Sequence, residues 1–229
     1  MKQSRPTLDN SDSQRAIKIV HVLRRVVRDL PDSMVDIIIQ DYGKNTYFIL
    51  ISCLLSLRAK DITILPVCRD LFREASTPEA MIRLSLTRLQ KIIFKSGFYR
   101  QKAKTLKAVS QELIDRFGGI VPHTASELLS IKGIGQKTAH LVLYKAFDRS
   151  TVFVDTHVHR LSNRLGLVAT KTPDQTRQAL ERLLPERYRG EYCHLLVRWG
   201  QNICVPISPF CSRCALYDLC PRKGVVRHR

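Results

Sequence analysis

A chain of 229 residues with a formal net charge of +18 is long enough for one large domain or two small ones with their own cores. So strong a positive balance points to a polyanionic partner, nucleic acid before anionic membrane. The longest apolar run, residues 48–57, is interrupted by Ser52 and too short to span a bilayer, which excludes an integral membrane protein and suggests a buried helix instead.

Residues 1–16 are polar and lack an apolar signal core, so the chain reads as a cytoplasmic protein with no signal peptide. No internal repeat and no low-complexity tract interrupts it. Residues 16–27 form a basic amphipathic pattern that ends before Pro31. From Tyr47 onward helical patterns follow at short intervals, over 46–57, 62–72, 78–85, 87–95, 101–117, 124–130 and 136–147. Pro78, Gly97, Gly118, Gly119 and Pro122 separate them. Further helices are expected over 156–165, 173–184 and 188–201. Val152-Phe153-Val154 is the one strand-like stretch, too short to build a sheet. The fold class is all-α.

Residues 128–139 read as a helix end, a Gly-x-Gly turn at Gly133-Ile134-Gly135, and a second helix beginning. Glycine takes φ > 0 without steric cost, and both glycines are read in that light, so the chain can reverse here in few residues. Backbone amides at the start of the second helix lack intrahelical acceptors and favour an anion. A helix C-cap is the plainer role for Gly133. Lys137 lies one turn into the second helix and shares a side with Leu141 and Tyr144, at i+4 and i+7. An apolar strip beside an amine lowers its pKa, which a nucleophilic lysine requires. An ordinary solvated lysine is the alternative. Asp155 follows Val154 and precedes the helical residues 156–165, the place of an N-cap. A carboxylate there is held ionised by the helix end and is able to stabilise a cationic sugar transition state.

The run from Arg88 to Lys107 carries seven basic residues and no acid, a self-repelling set that a phosphate backbone would relieve. Inside it, Phe98 sits in Gly97-Phe98-Tyr99 and reads either as an apolar wedge or stacking platform, or as a core aromatic closing the turn. Near the C-terminus, Cys204-x6-Cys211-x2-Cys214-x5-Cys220 places four of the seven cysteines in one short loop. Without an export signal, disulfides are disfavoured. Structural zinc usually shows two close Cys pairs, and only Cys211 and Cys214 form one, so the spacing suits a [4Fe-4S] cluster. Cys53, Cys68 and Cys193 lie in helical patterns and read as small buried hydrophobes.

The Leu-x-x-x-Gly-Ile-Gly-x-Lys-Thr-Ala hairpin, the Val-Asp-Thr-His-Val-x-Arg segment and the four-cysteine loop occur together and in this order. Over residues 15–221 the chain resembles the endonuclease III family of helix-hairpin-helix base-excision glycosylases. The resemblance implies two helical domains with a DNA-binding cleft between them. One is a six-helix bundle carrying the hairpin (39–149). The other is an iron–sulfur cluster domain (150–229), packed with the N-terminal segment (1–38). It implies a bifunctional DNA glycosylase and AP lyase that excises oxidised pyrimidines from duplex DNA and nicks the abasic site by β-elimination. By the same resemblance Lys137 is the nucleophile and Asp155 the essential carboxylate. Gly133, Ile134 and Gly135 hold a backbone phosphate, His157 and Arg160 support Asp155 and the DNA cleft, and Cys204, Cys211, Cys214 and Cys220 bind the cluster. The implied partner is double-stranded DNA with damaged bases or abasic sites, bound by a monomer associated with the nucleoid and not with a membrane.

The chain departs from the family pattern at Ser56-Leu57-Arg58-Ala59-Lys60-Asp61, where Arg58 replaces the usual Gln that fills the gap left by a flipped base. It also lacks cations between Cys204 and Cys211, where Arg213, Arg222 and Lys223 are the substitutes at hand. A mismatch-specific thymine, uracil or adenine glycosylase of the same fold is the alternative enzyme. The adenine enzyme is disfavoured because residues 46–57 contain no Glu. The alternative of another class is a non-catalytic iron–sulfur protein that binds damaged DNA.

Overall fold

Helix α3 (Thr46–Ser56) is buried from Tyr47 through Leu55, on every face, because its sequence offers apolar residues all round. The computed structural model describes residues 10–229, so the first nine residues of the polar stretch 1–16 lie outside the described residues. Among the described residues there are twelve α-helices, four short 3-10 turns and no strand. The chain divides into two compact units: Asp32–Arg149, and the described residues up to Pro31 together with Ser150–Arg229.

In the first of these, α2 (Met34–Tyr42), α4 (Asp61–Glu74) and α9 (Gln136–Phe147) pack around α3, and α5 (Pro78–Arg83) and α6 (Leu86–Ile92) pack on α7 (Tyr99–Phe117). The short α8 (Ala125–Ser130) leads into α9. Polar residues start these helices: Asn45, Thr77, Ser85 and Thr124 each accept an amide hydrogen bond at an N-cap, and Pro78 occupies the first turn of α5. Phe48 stacks on Phe72 with ring centroids 4.1 Å apart, closed edge-on by Tyr42. This unit holds eight helices, where the patterns read from the sequence give seven and the resemblance implies a six-helix bundle. Helix α2 was not anticipated, since only Met34, Val35 and Ile38 mark its buried face and its N-cap Ser33 makes no capping bond.

The other unit consists of α1 (Asn10–Val26), α10 (Thr156–Arg164), α11 (Pro173–Leu183), α12 (Arg189–Asn202) and the C-terminal loop. Helix α12 packs against both α1 and α10. Gly200 makes the second contact close: a Cβ there would stand 2.9 Å from the Cβ of His157. Val152-Phe153-Val154 is buried and belongs to no helix or sheet. No helix among the described residues is long and apolar enough to cross a membrane.

Candidate active site and cysteine loop

The hairpin turns at Gly133, whose φ of +104° no L side chain adopts readily. A Cβ there would also stand 2.8 Å from Thr105 Cγ2 of α7, so the turn sits directly against that helix. Gly135 differs from the expectation. Its φ of −96° is ordinary extended backbone, and a Cβ there would meet nothing within 4 Å. Its missing side chain leaves the start of α9 open, with no side-chain cap on the first-turn amides. Ile134 buries its side chain between the two. Glu112 accepts from the Lys132 amide at 3.2 Å, and Arg116 donates to Ser130 Oγ at 2.7 Å, which fastens the hairpin to α7.

Lys137 is half-buried on α9, the helix that packs on α3. Burial pushes the Cys53 thiol of α3 up to about 12, and the positive charge of Lys137 is the first influence acting against that rise. Burial likewise pushes Cys68 up to about 12 and raises Cys193, in keeping with small apolar roles for all three.

Arg58 and Phe98 come together with Gly133 around one cavity of about 230 Å³. Both are exposed, and both hold left-handed backbone, φ +55° and +48°. The Arg58 guanidinium lies 5.8 Å from the Phe98 ring centroid. Phe98 is 65% exposed, which rules out the core-aromatic reading.

The basic run is less bare than its sequence suggests. Arg88 is paired bidentately with Glu74, the Lys107 ammonium donates to the carbonyls of Met81, Ile82 and Leu84 at the end of α5, and Lys102 is buried. Lys91, Lys95, Arg100 and Lys104 remain exposed. Sequence reasoning missed Lys102, although Lys102, Leu106, Val109 and Leu113 recur at helical spacing on the buried side of α7.

In the other unit Asp155 caps α10. Its Oδ1 accepts from the amides of His157 at 2.8 Å and Val158 at 2.9 Å, while Oδ2 has no partner among the described residues. One turn further, Arg160 donates to the carbonyls of Gly200 (2.9 Å) and Cys204 (2.8 Å) and to His157 Nδ1 (3.1 Å). Its donors thus serve the end of α12. Arg164, a turn beyond, donates to Val205 O and Pro206 O and reaches Cys204 Sγ at 3.3 Å. Two arginines on one face of α10 therefore tie the Asp155 helix to the cysteine loop.

Cys204, Cys211, Cys214 and Cys220 are all free and line one cavity of about 30 Å³ with Arg164, Phe210, Tyr217 and Arg222. As they stand, no three His, Cys, Asp or Glu side chains among the described residues are arranged to hold a metal ion. Burial raises the thiols of Cys211, Cys214 and Cys220, a cost that a bound cationic group removes. The buried indole N–H of Trp199 has no oxygen or nitrogen acceptor and acts on the Cys214 thiol, which it lowers. A soft sulfur-ligated group fits this donor set. Of the three cations expected beside the loop, Arg213 stacks on Phe210 and Arg222 on Tyr217, at 4.1 and 4.2 Å from the ring centroids.

A helix-hairpin-helix on one unit and a helix-capping aspartate followed by a four-cysteine loop on the other define a class of base-excision protein. The HhH-GPD superfamily of base excision DNA repair proteins matches residues 51–186. The chain belongs to this family: it is a base excision repair DNA glycosylase. It is similar to endonuclease III of Thermotoga maritima, with 41% identity over 79% of this chain and 87% of that protein. It is also similar to the longer chloroplastic endonuclease III homolog 2 of Arabidopsis thaliana, 40% identical over 76% of this chain, of which it spans 48%. Among solved structures, a trapped covalent intermediate of endonuclease III with DNA superposes with a TM-score of 0.81 at 28% identity, over 92% of this chain and 96% of that one.

Proposed function

We propose that the chain is a bifunctional glycosylase and AP lyase acting on oxidised pyrimidines in duplex DNA. The observation that carries the reading is Lys137: a half-buried amine in the first turn of α9, just after an open helix start, on a hairpin seated against α7. The first-turn amides after Gly135 take a backbone phosphate of the damaged strand. The lesion is extruded from the stack. The Lys137 amine attacks C1′ of its sugar, the C1′–N bond breaks, and the base departs with the electron pair and takes up a proton. Positive charge gathers on the sugar at that moment, and the Asp155 carboxylate stabilises it. Ring opening gives a Schiff base between Lys137 and C1′. Loss of a C2′ proton then expels the 3′ phosphate by β-elimination, and water releases the lysine.

Cys204, Cys211, Cys214 and Cys220 would hold a [4Fe-4S] cluster, which supplies a cross-link for a loop with little apolar core of its own. Arg160 serves as the brace between that loop and the helix of Asp155. The Thermotoga and covalent-complex relatives support the lyase half of the reading. Borohydride tests it: incubation with a duplex containing one abasic site should give a covalent protein–DNA adduct, and Lys137→Gln should give none. Adduct formation by the variant at the wild-type level would move the nucleophile elsewhere, the N-terminal amine being the first place to look.

A further inference from the structure

One buried ammonium lies behind both strained tips. Lys102 is 9% exposed, and its Nζ donates to Leu55 O at 2.7 Å and to Ser96 O at 2.6 Å. Leu55 O is one of the last carbonyls of α3, three residues before Arg58. Ser96 O ends a 3-10 turn, two residues before Phe98. Carbonyls at helix ends lack intrahelical donors, so each needs a partner from outside. Lys102 supplies both from a single atom, and the same residue lines the cavity that Arg58, Phe98 and Gly133 share.

The backbone explains why such a brace is needed. Arg58 and Phe98 are two of only five non-glycine residues at positive φ among the described residues. Conformations of that kind persist only where the surroundings over-determine them. Neither side chain is buried, so packing of the side chain itself does not hold the tip. What remains is the backbone just upstream, and there the common anchor is Lys102. Burial lowers its pKa to about 8, a cost the protein accepts for this one lysine of the run. The Cys68 thiol acts against this fall but is outweighed by burial.

We propose that Lys102 is a positioning residue that sets the spacing of the two DNA-probing tips, Arg58 and Phe98, by binding the Leu55 and Ser96 carbonyls together. The proposal rests on the reading of Arg58 and Phe98 as the side chains that enter the duplex at an extruded base. Lys102 touches neither the sugar nor the lesion. It fixes the distance between the side chain that fills the gap and the one that unstacks the neighbour. A misplacement of about an ångström at such a site costs up to about 100-fold in rate.

The test is a double-mutant cycle on single-turnover excision of thymine glycol from a duplex, with thermal melts of every variant. Arg58→Ala with Phe98→Ala removes the tips, Lys102→Met removes the brace, and the triple variant combines them. Lys102→Met should lower excision about 10- to 100-fold. In the background that already lacks both tips, the same change should lower it less than about 2-fold, because nothing is left to position. Should Lys102→Met unfold, Lys102→Gln takes its place, since it removes the buried charge and keeps an N–H donor. Wild-type excision by the Lys102 variant, or a loss that multiplies fully with loss of the tips, would overturn the proposal and leave the tips standing. Full excision by the variant lacking both tips would overturn the reading of the tips themselves, and the proposal with it.

Discussion

In residues 32–149 the hairpin is located by fit. Thr105 leaves room for a glycine and nothing larger at position 133, and α9 lies along a helix with no polar face. In the unit that contains Ser150–Arg229, the helix of Asp155 is located by donors. Arg160 and Arg164 spend their guanidinium groups on the carbonyls of Gly200, Cys204, Val205 and Pro206, and four thiols line one cavity in the C-terminal loop. Lys137 sits half-buried on the helix located by fit, and Asp155 caps the helix located by donors. The two units thus position these side chains by different means, shape fit against a neighbouring helix in one and polar links to a loop in the other.

The largest expected effect falls on the cysteine unit. If the four cysteines hold the proposed cluster, treatment of the purified protein with an iron chelator should strip hydrogen-exchange protection from the amides of residues 203–225, while those of residues 47–55 keep theirs. Unchanged protection in the loop would mean that apolar contacts hold it after all, and the contrast between the units would fail. Asp155→Asn comes next. Excision should fall about 100- to 1000-fold, the range for loss of a preorganised electrostatic group. The melting temperature should move little, because Asn caps helices as well as Asp. A rate within about twofold of wild type would leave Asp155 as a cap alone.

Two glycines sharpen the same contrast inside the hairpin. Gly133→Ala meets both a positive φ and a methyl group at 2.8 Å, and should cost about 1–3 kcal/mol in denaturant unfolding. Gly135→Ala has open space and ordinary backbone, so its stability should stay within about 0.5 kcal/mol while binding to abasic duplex weakens. Arg58 gives a smaller effect. Its guanidinium offers donors only, and guanine presents a carbonyl acceptor that adenine lacks. Lesions opposite guanine should therefore be processed better than the same lesions opposite adenine, by no more than about 1–3 kcal/mol, and Arg58→Gln should narrow the ratio. Equal loss opposite both bases would make Arg58 a phosphate contact.

The smallest effect is a pH dependence. An unfolded Lys102 titrates near 10.4 and the folded one at about 8. Between those values the unfolded chain binds a proton that the folded chain does not, so this group makes the unfolding free energy rise with pH. Below about 8 both states are protonated, and its contribution is flat. The gap in unfolding free energy between wild type and Lys102→Met should shift in favour of the wild type from pH 8 to pH 10. A constant gap would mean that Lys102 is solvated like the rest of the run.

The amino-acid sequence by itself determined the helical class, the hairpin and the placement of Asp155 at a helix start. Those depend on local signals: apolar period, glycine at the turn and a capping carboxylate. It also marked Cys204, Cys211, Cys214 and Cys220, because thiol spacing is legible without a fold. Tertiary structure decided the rest. Helix α2 was missed because its short apolar face has meaning only against α3 and α4. Gly133 and Gly135 look alike in the chain, and the left-handed backbone and the proximity of Thr105 make only the first obligatory. Arg58 and Phe98, forty residues apart, share a cavity, and the basic run divides into exposed charges and ammonium groups turned onto backbone carbonyls, Lys102 and Lys107. A lysine's solvation depends on which carbonyls approach it from other helices, and no pattern of neighbours in sequence records that.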